Sequence, residues 1–455
     1  MTVKFPYGKA PFWLFVIAVL SLALRLATLR HKDARPDLTM VVFSDPHYQS
    51  YLRAIPEFER KHGVKVQVQL SNWSSLQTRL QNAVLAGTDV PDMTEMFEGS
   101  LGFFTRGPVE DFGVVDLTDY LKRDGLDKRL VESRLSLWSA RGRVYGLPHD
   151  VHPVMLAYRR DLIEQLGIDV AQLDTWDKFV EVGRRVTQDL NGDGVIDRYM
   201  LDMRMDGNWG FSTLMFQRGG QFFDAAGDVA FATEDNAQLV RWYIEQTRGP
   251  HRIGYECGWG QAVAKAMMDG LVLFYFAPDW RSFMYADEVP SLKGKMALMP
   301  LPAWKAGGRR TSVWGGTGLI ITHGSKNPEL AWELAKFLYF EPGELGKRFK
   351  MTNIVPVLKD AWDLPELSEP DPYYSNQPIG KMYAALAPDT PPVYGSPVDN
   401  VARNRMDQVV SRAAAYFEQH GQAGLMDKIR QELADGVVAV RRIADREKTL
   451  VGAKD

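Results

Sequence analysis

Residues 144–176 read VYGLPHDVHPVMLAYRRDLIEQLGIDVAQLDTW. A short apolar piece, Val144, Tyr145 and Leu147, meets Pro148 and then a polar cluster, His149-Asp150-Val151-His152. Val154 to Tyr158 reads as a buried strand. Asp161 to Leu166 reads as a short helix that Gly167 stops. Thr175 is placed to cap the next helix, whose inner side carries Trp176 and Phe179. A buried strand with polar side chains at its start and a helix after it supplies the parts of an α/β ligand cleft.

The chain around this stretch has 455 residues, too many for one hydrophobic core, so two domains are expected. The formal net charge of −3 lacks the basic surplus of a nucleic-acid binder. The 12 Trp and 17 Tyr suit a carbohydrate site, but also suit large α/β cores, and so decide nothing alone. A single cysteine, Cys257, excludes an internal disulfide framework and a Cys-rich zinc site. With no His placed beside it, it reads as a buried structural thiol.

Upstream, residues 1–35 stand apart. Lys4 and Lys9 precede the apolar run Ala10 to Leu24, and Leu26 to Leu29 extend it to about twenty residues, enough to span a bilayer. The basic start fits a signal peptide. Ser21-Leu22-Ala23 is a mediocre cleavage site, which leaves an uncleaved anchor over residues 10–29 as the alternative. Arg25, Arg30, Lys32 and Arg35 follow the run, so the positive-inside rule gives no clear outward orientation.

From Pro36 the order is strand (Leu38 to Phe43), helix kinked or broken at Pro56, strand (Val64 to Leu70), helix (Trp73 to Leu85) and strand (Met93 to Phe97). That β-α-β-α-β order implies a parallel sheet with right-handed crossovers. Its strand ends carry Ser44, Asp45, Asn72, Trp73, Phe97 and Glu98, where ligands of such sheets bind. Further on, Leu271 to Phe276 is a buried strand running into Ala277-Pro278-Asp279-Trp280-Arg281. Met296 to Pro300 is a short strand, Val313 to Thr322 is a strand with a glycine-rich start, and Asn327-Pro328 begin a helix. Amphipathic helices over Asn400 to Phe417 and Leu425 to Ile443 close the chain.

The opening stretch resembles the extracellular solute-binding proteins of ABC importers, in the sugar-binding, maltose-binding-protein-like group. The resemblance rests on Tyr145-Gly146-Leu147-Pro148, Tyr158-Arg159 (Arg where the group usually has Asn), Arg160-Asp161-Leu162, Ile168-Asp169 and Thr175 to Phe179. It continues through Pro91-Asp92, Gly219-Gly220, Ala266 to Gly270, Gly315-Gly316 with Ile320-Ile321, and Lys326 to Phe337. The lipoprotein cysteine common in the group is absent.

The resemblance implies a periplasmic-binding-protein-like α/β fold, two lobes closing on a ligand cleft after an N-terminal hydrophobic segment. It implies residues 36–145 plus 296–345 in one lobe and 146–295 plus 346–455 in the other. Chain crossings are expected near Val144 to Pro148, Met296 to Leu301 and Tyr339 to Lys350. It implies a non-enzymatic subunit, periplasmic or otherwise extracytoplasmic, that captures a mono- or oligosaccharide by hinge closure and hands it to a membrane permease. A polyamine or a glycerol-phosphate-type solute is the alternative on the same scaffold, and a sugar-active enzyme a more distant one.

Sugar clefts join aromatic faces, which stack on pyranoses, to planar polar groups that bond hydroxyls. On strand ends and adjoining loops the candidates are Asp45, Trp73, Glu98, His149, Asp150, His152, Asn208, Trp209, Trp280, Arg281, Trp314 and Tyr394. Each tryptophan is otherwise a core or hinge residue, and Glu98 a loop carboxylate. His149, Asp150 and His152 are otherwise a satisfied structural cluster, and no metal is expected on them. Asp279 with Glu98 can be drawn as a glycosidase pair, at a separation sequence does not fix. Asp189, Asn191, Asp193 and Asp197 match the first positions of a calcium loop, but Met200 stands where an EF-hand needs its bidentate Glu. A plain turn is the leading reading there, a weak structural Ca2+ site the second, and no other cofactor is expected.

Overall fold

Alternation of strand and helix at the start of the body produces the expected parallel arrangement. In the computed structural model, which describes residues 12–21, 36–86, 90–205 and 208–452, Leu38–Val42 pairs in parallel with Val66–Leu70 on one side and Met93–Phe97 on the other. Thr317–Ile321 adds antiparallel to Met93–Phe97, and Leu147–Pro148 closes the five-stranded sheet. Gly318 is required in that strand because a Cβ there would overlap the Trp138 indole.

The helix Asp45–His62 runs unbroken through Pro56. The expected break does not occur: proline removes one backbone bond, while Tyr51, Ile55 and Phe58 bury both halves against the sheet. Gly63 ends the helix in the left-handed region (φ 69°), donating its N–H to Glu59 O.

A second five-stranded sheet has the order Met296–Pro300, Val154–Arg159, Val272–Pro278, Tyr199–Asp202, Gly254–Tyr255. Val154–Arg159 is buried along its whole length because its alternating side chains enter two apolar cores, Val154, Leu156 and Tyr158 on one face and Met155 and Ala157 on the other. Thr175 precedes the helix Trp176–Val186 without a side-chain cap bond. Its neighbour Trp176 donates its amide to Ala303 O instead, a tertiary partner that replaces the local one. The closing helices Asp399–His420 and Leu425–Gly452 pack on each other and on Glu234–Thr247 beside this sheet.

Sheet membership departs from the expected lobe boundaries in two places. Leu147–Pro148 belongs to the first sheet and Met296–Pro300 to the second. The chain therefore passes between sheets at 149–153 and again at 301–316. The helix Pro342–Thr352 packs on both Asp45–His62 and Asp279–Glu288, one from each side. Half of the anchor expected over residues 10–29 lies outside the described residues. The described part, 12–21, is helical with exposed apolar side chains such as Leu14 and Phe15. Among the described residues no helix is long and apolar enough to cross a membrane.

Candidate functional site

Two sheet edges meet across a cavity of about 360 Å3. Leu38–Val42 and Met93–Phe97 end at the first edge, delivering Phe43, Ser44, His47 and Phe97 to its lining. Thr317–Ile321 is antiparallel, so its start, Gly315 to Thr317, lies at that same edge. At the second edge Pro278 pairs with Val154, which sets His152, just before one strand, beside Asp279 and Trp280, just after the other. Trp209, Trp259, Phe283 and Met284 complete that side, and Thr352 and Ile354 enter from the last passage.

Four tryptophans form most of the wall. Trp280 is fixed by its Nε1–H, which donates to Trp314 O at 3.0 Å. Its ring lies nearly parallel to Trp259 (20°, centroids 6.5 Å), and Trp209 lies nearly parallel to Trp314 (22°, 6.5 Å). Buried Arg281 sits behind, its guanidinium carbon 4.0 Å from the Trp259 centroid and 5.3 Å from that of Trp314, a cation–π brace. Gly315 takes φ 96°, and a Cβ there would lie 3.3 Å from both Trp280 Nε1 and the His152 ring. Glycine alone meets both demands.

Below the tryptophans, one buried ionic cluster ties the passages between the sheets together. His152 stands in the left-handed region (φ 56°), an uncommon backbone state for a non-glycine residue. Its Nε2 is 3.0 Å from Asp150 Oδ2 and its Nδ1 2.5 Å from Asp279 Oδ1. Asp150 also accepts the Thr317 amide (3.0 Å) and faces Arg134 Nη2 at 3.4 Å. Asp279 also accepts the amides of Trp280 (2.8 Å) and Val355 (2.7 Å). Burial works against charge on His152, but Asp150 and Asp279 outweigh it and push its pKa up to about 9. Burial likewise opposes charge on Asp150, yet His152, His149 and Arg134 hold its carboxyl well below the usual range.

The raised histidine sets the sign of a pH dependence. The stability His152 contributes is full below its unfolded value near 6.5 and is lost as pH rises from there through about 9. Urea midpoints measured from pH 6 to 10 are expected to fall over that window. His152→Gln should flatten this limb, and an unchanged slope in that variant would remove His152 as its origin.

Beyond the cavity, Glu98 forms a partition. Its carboxylate lies 3.5 Å from Arg403, which in turn binds Asp399 at 2.5 Å. Burial pushes the Glu98 pKa up in spite of Arg403. Phe97 lines the first cavity, and Gly99 lines a second of about 550 Å3, with Leu137, Arg141, Ala225 and Tyr394.

Residues 44–344 match the model of the bacterial extracellular solute-binding protein family. The chain belongs to this family. It is 27% identical over 350 residues to the arabinooligosaccharide-binding protein of Bacillus subtilis (strain 168), covering 75% of this chain and 78% of that one. The lactose-binding protein of Rhizobium radiobacter is 24% identical over 310 residues, 65% of this chain and 67% of its own. Among solved structures, the sugar-binding protein MalE from Xanthomonas citri superposes with a TM-score of 0.71 at 17% identity, over 89% of this chain and 98% of that one. At that identity the likeness establishes the fold.

Of the twelve residues singled out by sequence in this solute-binding protein, His152, Trp209, Trp280 and Trp314 line the first cavity and Tyr394 the second. Arg281 braces the wall from behind. Trp73 packs on Phe43 (5.1 Å between centroids) and Phe97 (6.0 Å), one layer back. Glu98 and Asp150 are spent on ion pairs. His149 is buried against His47, their ring centroids 4.0 Å apart. Asp45 is exposed and accepts from Gln49, so it lies outside the cavity. Asn208 begins the helix Asn208–Gln217; its side chain lies outside the described set.

Sequence missed Phe43, His47, Trp259, Phe283 and Met284. Phe43 and Trp259 had usable signals, a strand end and a Gly-Trp-Gly loop. Both carboxylates of the drawn glycosidase pair are committed to other partners, Asp279 to His152 and Glu98 to Arg403. Cys257 is buried, and burial pushes its thiol far up, with Asp202 adding to the effect. In the Asp189–Asp197 loop the Asp189 carboxylate accepts the amides of Asn191, Gly192 and Gly194, and Asp197 accepts that of Leu190. Those carboxylates hold a turn.

Proposed function

We propose that this protein captures a neutral carbohydrate, an oligosaccharide, between its two lobes and delivers it to an ABC permease. One observation carries the reading. Among the described residues no Asp, Glu, Lys or Arg lines the first cavity, and the charge on His152 is balanced by Asp150 and Asp279, while Phe43, Phe97 and four tryptophans face the space. A polyamine needs carboxylates and a glycerol phosphate needs cations; an uncharged polyol needs aromatic faces and a few hydroxyl partners, here Ser44, Thr317 and Thr352. The oligosaccharide-binding relatives point the same way. Contacts from both edges exist together only in the closed form, so ligand shifts the population toward closure. Family membership supports a location outside the cytoplasm, where residues 10–29, if uncleaved, would tether the chain.

The test is a thermal-shift screen of the full chain against arabino-, malto- and galacto-oligosaccharides, putrescine and glycerol 3-phosphate, with the sugars assayed for breakdown. One oligosaccharide class at 100 times its Kd is expected to add about 2.7 kcal/mol of stability, unconsumed. A shift with putrescine or glycerol 3-phosphate and none with sugars would overturn the carbohydrate reading, and hydrolysis of the bound sugar would overturn the non-enzymatic one.

A further inference from the structure

On the first-lobe side of the cavity, His47, Glu95 and His149 converge, all buried, with one donor atom from each within 4.8 Å of the others. We propose that these three side chains form a site for one zinc-class divalent cation, a function beyond solute capture. Two imidazoles and one carboxylate are a donor set that zinc takes from proteins while keeping a fourth position open.

Each donor is prepared. Glu95 Oε1 accepts the hydroxyls of Tyr51 (2.5 Å) and Tyr339 (3.0 Å), which fixes the carboxylate and leaves Oε2 to face His47 Nδ1 at 3.0 Å. His149 is 1% exposed, and neither ring nitrogen has a hydrogen-bond partner. Its Nδ1 lies 3.5 Å from Asp150 Oδ2, too poorly aligned for a bond. A buried imidazole that makes no hydrogen bond through either nitrogen, and whose Nδ1 only approaches a carboxylate, is costly and calls for an explanation. An ion on Nε2 supplies one, with Asp150 behind Nδ1 as carboxylates stand behind metal-bound histidines.

Donors on a tetrahedral zinc sit roughly 3.3 Å apart. His47 and Glu95 are already near that spacing, at 3.0 Å, whereas the His149 ring is stacked on that of His47 (centroids 4.0 Å, 26°) and must swing out of that stack to bring its nitrogen onto the ion. Arg348 is the charge an ion must tolerate; it lies 5.5 Å from the Tyr339 centroid with Nη1 on Leu338 O. Sequence gave no motif, since the ligands are scattered over a hundred residues. His47 also lines the cavity, so the ion lies at its floor.

The test is equilibrium dialysis of the EDTA-stripped full chain against zinc chloride with excess magnesium, the bound metal counted by mass spectrometry. One zinc per chain is expected. Glu95→Gln and His149→Ala should lose it, and Tyr51→Phe, which removes only a donor to Glu95, should weaken it about 10–100-fold. Cobalt loading of the wild type should give a tetrahedral visible band; this readout and Tyr51→Phe do not depend on the harsher variants folding. A folded wild type that binds no zinc overturns the proposal, as does zinc held equally by Glu95→Gln and His149→Ala. Oligosaccharide binding repeated in EDTA keeps the solute reading separately testable.

Discussion

Asp279→Ala is expected to lower the unfolding free energy by about 3–5 kcal/mol, the scale for removing one partner of a buried ion pair. The carboxylate is fully buried and does three things at once. It holds His152 Nδ1 at 2.5 Å, the Val355 amide at 2.7 Å and the Trp280 amide at 2.8 Å. Alanine leaves two amides unsatisfied and His152 with Asp150 as its remaining carboxylate. Asp279→Asn keeps an acceptor and the shape but not the charge, so a smaller loss is expected, together with a fall in the His152 pKa. Urea unfolding of the three proteins at pH 7 checks the order. An alanine variant within about 1 kcal/mol of wild type would mean that the cluster does not hold the passages together. His152 lies in one passage between the sheets, Thr317 begins the strand that follows the other, and Val355 follows the helix Pro342–Thr352 that packs on both sides, so solute affinity should fall in the same order as stability.

That cluster also shows what a sequence can carry. Val154 to Tyr158 announces itself as a strand because a strand covered on both faces must be apolar throughout. The first parallel sheet follows from local alternation and glycine placement for the same reason. His149-Asp150-His152 stands out as polar where apolar is expected, but its partners Arg134, Asp279, Thr317 and Val355 are set by tertiary pairing, which leaves no local periodicity. So the residues were found and their role was not: Asp150 and His152 grip the passages, and His149 turns the other way, onto His47. Of the wall tryptophans, Trp209, Trp280 and Trp314 were visible one by one and Trp259 was not. That four of them share one wall follows only once Pro278 is seen opposite Val154. The lobe boundaries failed at Leu147–Pro148 and Met296–Pro300 because short strands carry too little pattern to show which sheet they join.

Trp280→Ala is expected to weaken oligosaccharide binding at least about thirtyfold, the effect of deleting an aromatic anchor worth about 2 kcal/mol or more. The cavity has few polar partners to offer, so aromatic faces must supply most of the affinity. Trp280 is the suitable probe because its ring is only half-buried and its anchoring bond to Trp314 O is one neutral hydrogen bond, worth about 0.5–1.5 kcal/mol to the fold. Trp314 is 5% exposed, and its removal costs the fold about 3–5 kcal/mol, which confuses folding with binding. Ser44→Ala provides the opposite comparison: it removes one hydroxyl, and a loss of about two- to tenfold is expected. Calorimetric titration of the wild type and the two variants, with the sugar that gives the largest thermal shift, ranks faces against hydroxyls. If Ser44→Ala costs more than Trp280→Ala, hydrogen bonding rather than stacking holds the solute, and the aromatic wall is core packing that happens to border a cavity.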